Sequence, residues 1–288
     1  MIMQNFLSTV LFLKNSDLFI IYYPFSTPYD IMIKINLNTT GRQKTMKEKI
    51  NTLCSKVQFL SGASLKLIAI LSMLIDHVNK ALIYPNLTSN NGALTVVSNL
   101  FDIIGRIAFP LFCFFVVEGY FKTRNRKKYL LNLLIFGVIS EVPFDMFTTA
   151  SFFNMNWNNV MFTLALVLVT IWIIDILKEK MQNRPKAIWY IVSWIIVLLM
   201  CTVAMLLALD YEHHAILIGY FFYLFHDVQL LSIPFGYASM YDQPWALLGF
   251  GLTLTYNGQR GRQNKLLNYL FYPVHLLILG VLRLWLGI

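Results

Sequence analysis

The feature that most constrains this chain is a pair of ionisable residues, Asp76 and His77, inside its first long apolar segment. That segment, residues 63–84, has about 22 residues, which is enough for a helix to cross a hydrocarbon core of about 30 Å. Charged or titratable groups are costly in hydrocarbon, so we expect both side chains to face the interior of a helical bundle or a water-filled cavity. Asp76 belongs to a polar stripe at helical spacing, together with Ser72, Asn79 and Lys80. The stripe indicates either a functional site or a polar contact that packs two helices together.

The composition predicts a membrane protein made of helices. The chain is 57% hydrophobic and only 13% charged, against about 25% charged in soluble domains, and its mean hydropathy is +0.60. The net charge of +9 comes mostly from short loops between apolar segments, where Lys and Arg set membrane topology, so we expect no nucleic-acid partner. The three cysteines and five histidines show no disulfide framework and no metal-ligand spacing, so we expect no metal.

The apolar segments predict an all-α, polytopic transmembrane bundle of about eight to ten spans. Spans are expected at 63–84, 100–121, 129–147, 159–177, 187–209, 212–228 and 266–287, with a broken apolar region at 229–256. The basic loops 122–128 and 178–186 should be cytoplasmic. The basic loop 259–265 should be cytoplasmic too, which requires the region 229–256 to cross twice and gives nine crossings.

The first 45 residues differ from the rest. Their apolar stretch, 6–25, is interrupted by Lys14 to Asp17, and it lacks the basic start and cleavage site of a signal peptide. Met46 begins an ordinary cytoplasmic N-terminus, and Gly41-Arg42 can be encoded by a purine-rich ribosome-binding sequence just upstream. We therefore expect residues 1–45 to be a non-native or disordered extension, and residues 46–288 to form the membrane domain.

Several polar residues are predicted to lie at one depth in the bundle. Counting from the inner helix ends places five of them, from four helices, in one layer with His77: Asp76, Arg106, Glu141, Asp145 and Thr163. Arg106 would offset the carboxylates, because an unpaired buried charge costs several kcal/mol. The layer is either a functional site or a structural ion-pair network.

A set of ordered motifs carries a resemblance to a known family. The motifs are Leu65-Lys66 to Asp76-His77, Gly105-Arg106-Ile107-Ala108-Phe109-Pro110-Leu111-Phe112, Glu118-Gly119 with Thr123-Arg124-Asn125, Ser140-Glu141-Val142-Pro143-Phe144-Asp145, Tyr256-Asn257-Gly258-Gln259-Arg260-Gly261, and Phe271-Tyr272-Pro273-Val274-His275-Leu276. Together they resemble the TraX family of bacterial integral membrane proteins, from about Met46 to the C-terminus. One departure is Asp210-Tyr211-Glu212, followed by two histidines, where relatives favour Asp-Tyr-Gly. This departure leaves the acceptor open.

The resemblance implies an acetyltransferase of the bacterial cytoplasmic membrane. The family is named for conjugal-transfer proteins that N-acetylate the pilin N-terminus. It is also similar to multi-span acyltransferases that use cytoplasmic acyl-CoA and an intramembrane histidine. The implied donor is acetyl-CoA, and the acceptor is a peptide amine or an envelope glycan, modified at nitrogen or oxygen. Membrane lipid is the other expected partner.

The resemblance also implies roles for the polar layer. His77 would be the general base, because an imidazole with a pKa near 6.5 suits an α-amino group of pKa about 7.7–8.0. Asp76 points about 100° away from its neighbour on a helix, so we expect it to pair with Arg106. Glu141 or Asp145, from another helix, would then orient His77.

Two basic loops are predicted to bind the phosphates of coenzyme A by charge-assisted hydrogen bonds. The candidate residues are Arg124, Arg126, Asn257, Gly258 and Arg260. The same loops are also explained as topology signals. His275 would be a second base, bind the thioester end of the donor, or fix its helix against a neighbour. Glu118 would either bind the cofactor or pair with Arg124 and Arg126.

Two other classes of function fit the same residues. Buried Asp, Glu and His side chains also form the proton relays of transporters, although we find no internal repeat of the transporter kind. A third possibility is an accessory scaffold of a conjugation or secretion apparatus. Binding of labelled acetyl-CoA would favour the enzyme, whereas uptake into vesicles without acyl transfer would favour the transporter.

Overall fold

The computed structural model describes residues 9–14, 17–22, 31–36, 48, 52, 54–87, 92–154 and 156–288. The chain divides into two units, Met1–Lys56 and Val57–Ile288. In the first unit, three strands form an antiparallel sheet in the order β1-β2-β3: β1 (Thr9–Lys14), β2 (Asp17–Tyr22) and β3 (Ile31–Asn36). The fold does not show where translation of the natural protein starts, so the non-native origin of residues 1–45 stays a prediction.

The second unit is a bundle of α-helices, which confirms the predicted fold class. The helices are α1 (Gly62–Val78), α2 (Gly92–Gly105), α3 (Ala108–Lys122), α4 (Arg126–Thr149), α5 (Val160–Lys180), α6 (Lys186–Leu206), α7 (Glu212–Leu224), α8 (Gln229–Ala238), α9 (Ala246–Thr253) and α10 (Lys265–Leu286). Helix α1 continues into a π-helical turn, Asn79–Ile83, directly after the Asp76-His77 pair. Such turns are frequent at functional sites.

Six stretches of the described chain are long and apolar enough to span a membrane. They are Gly62–Asn86, Gly92–Lys122, Arg126–Thr149, Val160–Lys180, Lys186–Leu206 and Leu266–Leu286. Helices α7 and α8 meet at 74° and count as a seventh span if they are taken together. The two crossings predicted within 229–256 correspond to α8 and α9, which have 10 and 8 residues. At 1.5 Å per residue these helices are only about 15 and 12 Å long.

The second span is broken in its middle. Helices α2 and α3 lie in one stretch of 31 residues but are separated at Arg106 and Ile107. Pro110 is the third residue of α3, where its missing N–H removes no intrahelical hydrogen bond, so the helix can start again there. The predicted span 100–121 therefore begins earlier, at Gly92.

The glycine-arginine loop after α9 lies on the same side of the bundle as the basic loop after α3. The Lys122 ammonium donates to the Tyr256 hydroxyl at 2.6 Å and to the Gly258 carbonyl oxygen at 2.7 Å. The Gly62 N–H, at the start of α1, donates to the Gln259 carbonyl oxygen at 2.8 Å. These contacts place the two basic loops on one face, as the prediction of a shared side requires. The two crossings predicted within 229–256 are not among the six candidate spans of the described chain.

A cysteine at Asn257 tests this sidedness. We expect Asn257→Cys to resist a membrane-impermeant thiol reagent in intact cells and to react after permeabilisation, because the loop shares a face with the basic residues that stay cytoplasmic. The measurement uses a chain in which Cys54 is replaced by serine. Phe152→Cys, an exposed position between α4 and α5, should react in intact cells and serves as the control. Strong external labelling at position 257 would reverse the assignment.

Candidate functional site

Two histidines from the first and last spans meet inside the bundle. The distance from His77 Nδ1 to His275 Nε2 is 2.7 Å, and the two rings are almost parallel, with centroids 5.0 Å apart. His275 is 5% exposed, and its Nδ1 lies 2.7 Å from the Phe271 carbonyl oxygen. Phe147 of α4 packs on the other ring, 4.8 Å from His77. The structure thus places His275 beside His77, the predicted general base.

The predicted carboxylate partner of His77 is wrong, because Glu141 and Asp145 have other partners. Glu141 accepts a hydrogen bond from the side-chain amide of Asn159, which also donates to the Gly137 carbonyl oxygen at 2.8 Å. Asp145 is 1% exposed and accepts from the Asn154 N–H at 2.8 Å. Both carboxylates therefore organise the connection between α4 and α5.

The predicted pair of Asp76 and Arg106 is also wrong. Asp76 lies 2.7 Å from the Lys80 ammonium, one turn along α1. Arg106 pairs with Asp102, one turn back on α2, and donates to the Gln243 side-chain oxygen at 3.2 Å. Each charge finds its partner at the i, i+4 spacing, where side chains on one helix are neighbours.

Two residues of the polar stripe contact α2, and the packing interpretation of the stripe holds for them. The Ser72 hydroxyl donates to the Ile104 carbonyl oxygen at 2.6 Å, and the Asn79 amide donates to the Ser98 carbonyl oxygen at 3.0 Å. Asp76 lies between these two contacts, against Gly105. A methyl group at Gly105 would come within 2.5 Å of the Asp76 carboxylate. Part of the stripe is thus a packing contact with α2. This contact holds the buried carboxylate of Asp76, the residue that precedes His77 in the chain, against Gly105.

A strained turn before α7 contains Asp210, which was not among the predicted site residues. The Thr163 hydroxyl donates to the backbone oxygen of Asp210 at 2.7 Å, and the Asp210 N–H donates to Asn158 at 2.9 Å. Tyr211 and Glu212 have left-handed backbone, with φ of 62° and 40°. Glycine adopts this conformation readily. The departure from Asp-Tyr-Gly was the only signal of this turn in the sequence.

Burial raises the pKa of the Asp210 carboxyl from 3.8 to about 6; Lys80 opposes this rise and Asp76 adds to it. The Asp210 carboxyl therefore interacts electrostatically with Asp76 of α1 and with Lys80 of the π-helical turn. The folded state holds the proton more tightly than the unfolded state does. The stability contributed by this proton is therefore present below pH 3.8 and is lost as the pH rises through about 6.

The variant Asp210→Asn is expected to remove this pH dependence. Thermal unfolding of the purified protein, measured between about pH 4 and pH 7, should show the variant gaining stability relative to the wild type as the pH rises. Asp242→Asn, in the connection between α8 and α9, is the matched control. A constant difference between wild type and Asp210→Asn across this range would contradict the raised pKa.

The loop residues predicted to bind the donor fall into two groups. Arg126 lies over the Tyr120 ring at 4.0 Å and 3.6 Å from the Asp175 carboxylate, so it has structural partners. Arg124 and Arg260 are exposed. The predicted pairing of Glu118 is wrong, because this carboxylate pairs at 2.9 Å with each of two other residues: Lys122 and His226. Helical i, i+4 spacing explains the first of these pairs.

Fold and site together define a class: a multi-pass helical membrane protein with a hydrogen-bonded histidine pair, of which His275 is buried and His77 half-buried, and with the buried carboxylates Asp76 and Asp145. Among the described residues, no group of three or more His, Cys, Asp or Glu side chains is placed to hold a metal ion. The family model described as TraX protein matches residues 61–283. The chain therefore belongs to the TraX family.

Two curated relatives are similar to the chain. The protein named "Probable fimbrial assembly protein FimC, serogroup H1" of Dichelobacter nodosus is 31% identical over 249 residues, which cover 78% of this chain and 97% of that protein. "Uncharacterized protein RP591" of Rickettsia prowazekii (strain Madrid E) is 33% identical over 103 residues, which cover 35% of this chain and 33% of that protein. No solved structure matches the chain.

Proposed function

We propose that this protein is a membrane acyltransferase that moves an acetyl group from acetyl-CoA to an acceptor of the cell envelope. The observation that carries the proposal is the position of His77, half-buried inside the first span and hydrogen-bonded at 2.7 Å to the buried His275. An ionisable residue at such a depth is a functional candidate by default. The acceptor is a pilin-like peptide amine, with a glycan hydroxyl as the alternative.

The role of His77 in the proposed reaction is that of general base. The acceptor amine or hydroxyl attacks the thioester carbonyl, a new C–N or C–O bond forms, and the C–S bond of the thioester breaks. His77 takes the proton that the acceptor loses. The sulfur of coenzyme A leaves and is protonated. General bases of this kind contribute about 10²- to 10⁴-fold to a rate.

The donor is proposed to enter from the face that carries the two basic loops. The hydrogen bonds of Lys122 to Tyr256 and Gly258 bring these loops together. Gly258 and Gly261 have positive φ, so backbone bends sharply beside the exposed Arg260 and can approach a phosphate closely. Arg124 and Arg260 would bind phosphates by charge-assisted hydrogen bonds. Arg126, which contacts Asp175, would take a lesser part.

The relative in Dichelobacter nodosus supports the class of acceptor. That protein is named for fimbrial assembly, and this chain matches 97% of its length. Family membership supports the same context, because the resemblance of the motifs is to proteins that modify pilin. The acceptor we propose to test first is therefore the N-terminal amine of a pilus or fimbrial subunit.

Acyl transfer from labelled acetyl-CoA tests the proposal. Purified protein in lipid nanodiscs is incubated with the labelled donor and with envelope proteins and glycans from a strain that lacks the gene. We expect label on a discrete acceptor, identified by mass spectrometry. Proton-linked uptake into vesicles without acyl transfer would favour a transporter. Neither transfer nor uptake, with the envelope of the deletion strain unchanged in acetylation, would favour a scaffold of the assembly apparatus.

A further inference from the structure

We propose that His275 is a positioning residue that fixes the tautomer of His77, so that Nε2 of His77 is the basic atom. The catalytic consequence rests on the proposed function, whereas the tautomer itself does not. The inference comes from the chain of hydrogen bonds that runs from the Phe271 carbonyl oxygen through His275 to His77.

The direction of these hydrogen bonds follows from their first acceptor. A carbonyl oxygen only accepts, so the 2.7 Å contact between Phe271 and His275 requires a proton on His275 Nδ1. A neutral imidazole has one N–H, and His275 Nε2 therefore carries a lone pair. His77 Nδ1, at 2.7 Å, must then donate its proton to His275. The lone pair of neutral His77 is left on Nε2.

The neutral state of His275 is supported by its surroundings. Its side chain is 5% exposed, and its hydrogen-bond partners in the described part of the chain are a carbonyl oxygen and another imidazole. A buried charge without a carboxylate partner is costly. The Phe271 ring stacks on the His275 ring at 4.7 Å, and the Tyr272 ring meets it at 5.8 Å. The ring is thus held in one orientation.

The arrangement supports proton transfer without a carboxylate. When Nε2 of His77 takes the proton of the acceptor, the imidazole becomes a cation. Its Nδ1–H then makes a charge-assisted hydrogen bond to the neutral His275, and such bonds are about twice as strong as neutral ones. The hydrogen bond between the two histidines therefore strengthens as the positive charge develops. An interaction that is stronger in the transition state than in the ground state accelerates the reaction. The proton subsequently leaves His77 for the departing sulfur or for water.

The tautomer is measurable without any activity. In protein labelled with ¹⁵N-histidine, NMR spectra at a pH where His77 is neutral should show it protonated at Nδ1 and bare at Nε2, with its signals assigned by their loss in His77→Gln. In His275→Leu the proton should redistribute towards Nε2. His213→Gln should leave the His77 signals unchanged. A proton on Nε2 of His77 in the wild type would overturn the inference, whatever the protein catalyses.

Kinetics distinguish positioning from packing. His275→Leu should lower kcat by about 10²- to 10⁴-fold, the range seen when a base loses its correct tautomer, and leave KM for the acceptor nearly unchanged. His275→Gln, whose amide oxygen can accept from His77 Nδ1, should recover most of this loss. In a His77→Ala background, His275→Leu should have no further effect. Equal losses in the Leu and Gln variants would show a packing role only. If transfer is absent in the wild type, the proposed function fails while the NMR result stands.

Discussion

His77→Ala is expected to lower the turnover number for acyl transfer by about 10²- to 10⁴-fold, while the protein remains inserted and monodisperse. The variant removes the imidazole that we propose as the acceptor of the proton of the attacking group. It also leaves His275, 2.7 Å away in the wild type, without its hydrogen-bond donor. The measurement is transfer of label from acetyl-CoA in nanodiscs, with size-exclusion chromatography as the check on folding.

Two further variants make this result specific. His77→Gln keeps a hydrogen-bonding side chain of similar length but has no basic nitrogen, so its loss should match that of alanine. His213→Ala, another histidine of the bundle, which lies 3.8 Å from Glu212, should retain the wild-type turnover number. Turnover retained in both His77 variants would exclude His77 as the base and direct attention to His275.

The second large effect is expected at Gly249, on α9. A methyl group there would lie 2.5 Å from the carbonyl oxygen of Ile107 and 3.1 Å from its Cα. These are backbone atoms of the α2–α3 break, so a side chain cannot rotate away to relieve the clash. Gly249→Ala should therefore destabilise the protein by about 1–3 kcal/mol, the usual cost of overpacking a core. A displacement of Ile107 would also move the preceding residue, Arg106, and disturb its hydrogen bond to Gln243.

Gly251 supplies a matched control on the same helix. A methyl group at this position has no heavy atom within 4 Å, so Gly251→Ala should be neutral or should stabilise α9 by up to about 1 kcal/mol through helix propensity. The propensity gain is the same at both positions, and the difference between the variants isolates the contact with Ile107. Thermal unfolding in detergent measures that difference. Equal melting temperatures would mean that α9 does not pack tightly on the break.

The sequence by itself determined the class of the fold, and it predicts which loops are cytoplasmic. Hydropathy and span length are local properties, because a helix in lipid satisfies its backbone hydrogen bonds within one segment. Basic loops set topology in the same local way. The ordered motifs also led to the family, which the match over 61–283 confirms. Helices α8 and α9 were harder to predict, since each is shorter than a span and α8 is bent sharply against α7.

The i, i+4 spacing of charged residues in the sequence also indicates the two ion pairs that the structure shows. Asp76 and Lys80 are four positions apart, as are Asp102 and Arg106, and both pairs form within a helix. The error was to pair Asp76 with Arg106 across the bundle on depth alone. A common depth leaves the rotation of each helix open, whereas the i, i+4 rule fixes two side chains on one face.

Only the tertiary structure decided which side chain contacts His77. His275 lies 198 positions away, and neither periodicity nor charge predicts that these two rings meet. The contact depends on how α10 packs beside α4, with Phe136 stacked on Tyr269 at 4.9 Å and Gly280 against Met146. Glycine allows such close approach because it has no side chain. The sequence could place His77 inside the bundle, but its partner was set by the close packing of helices distant in the chain.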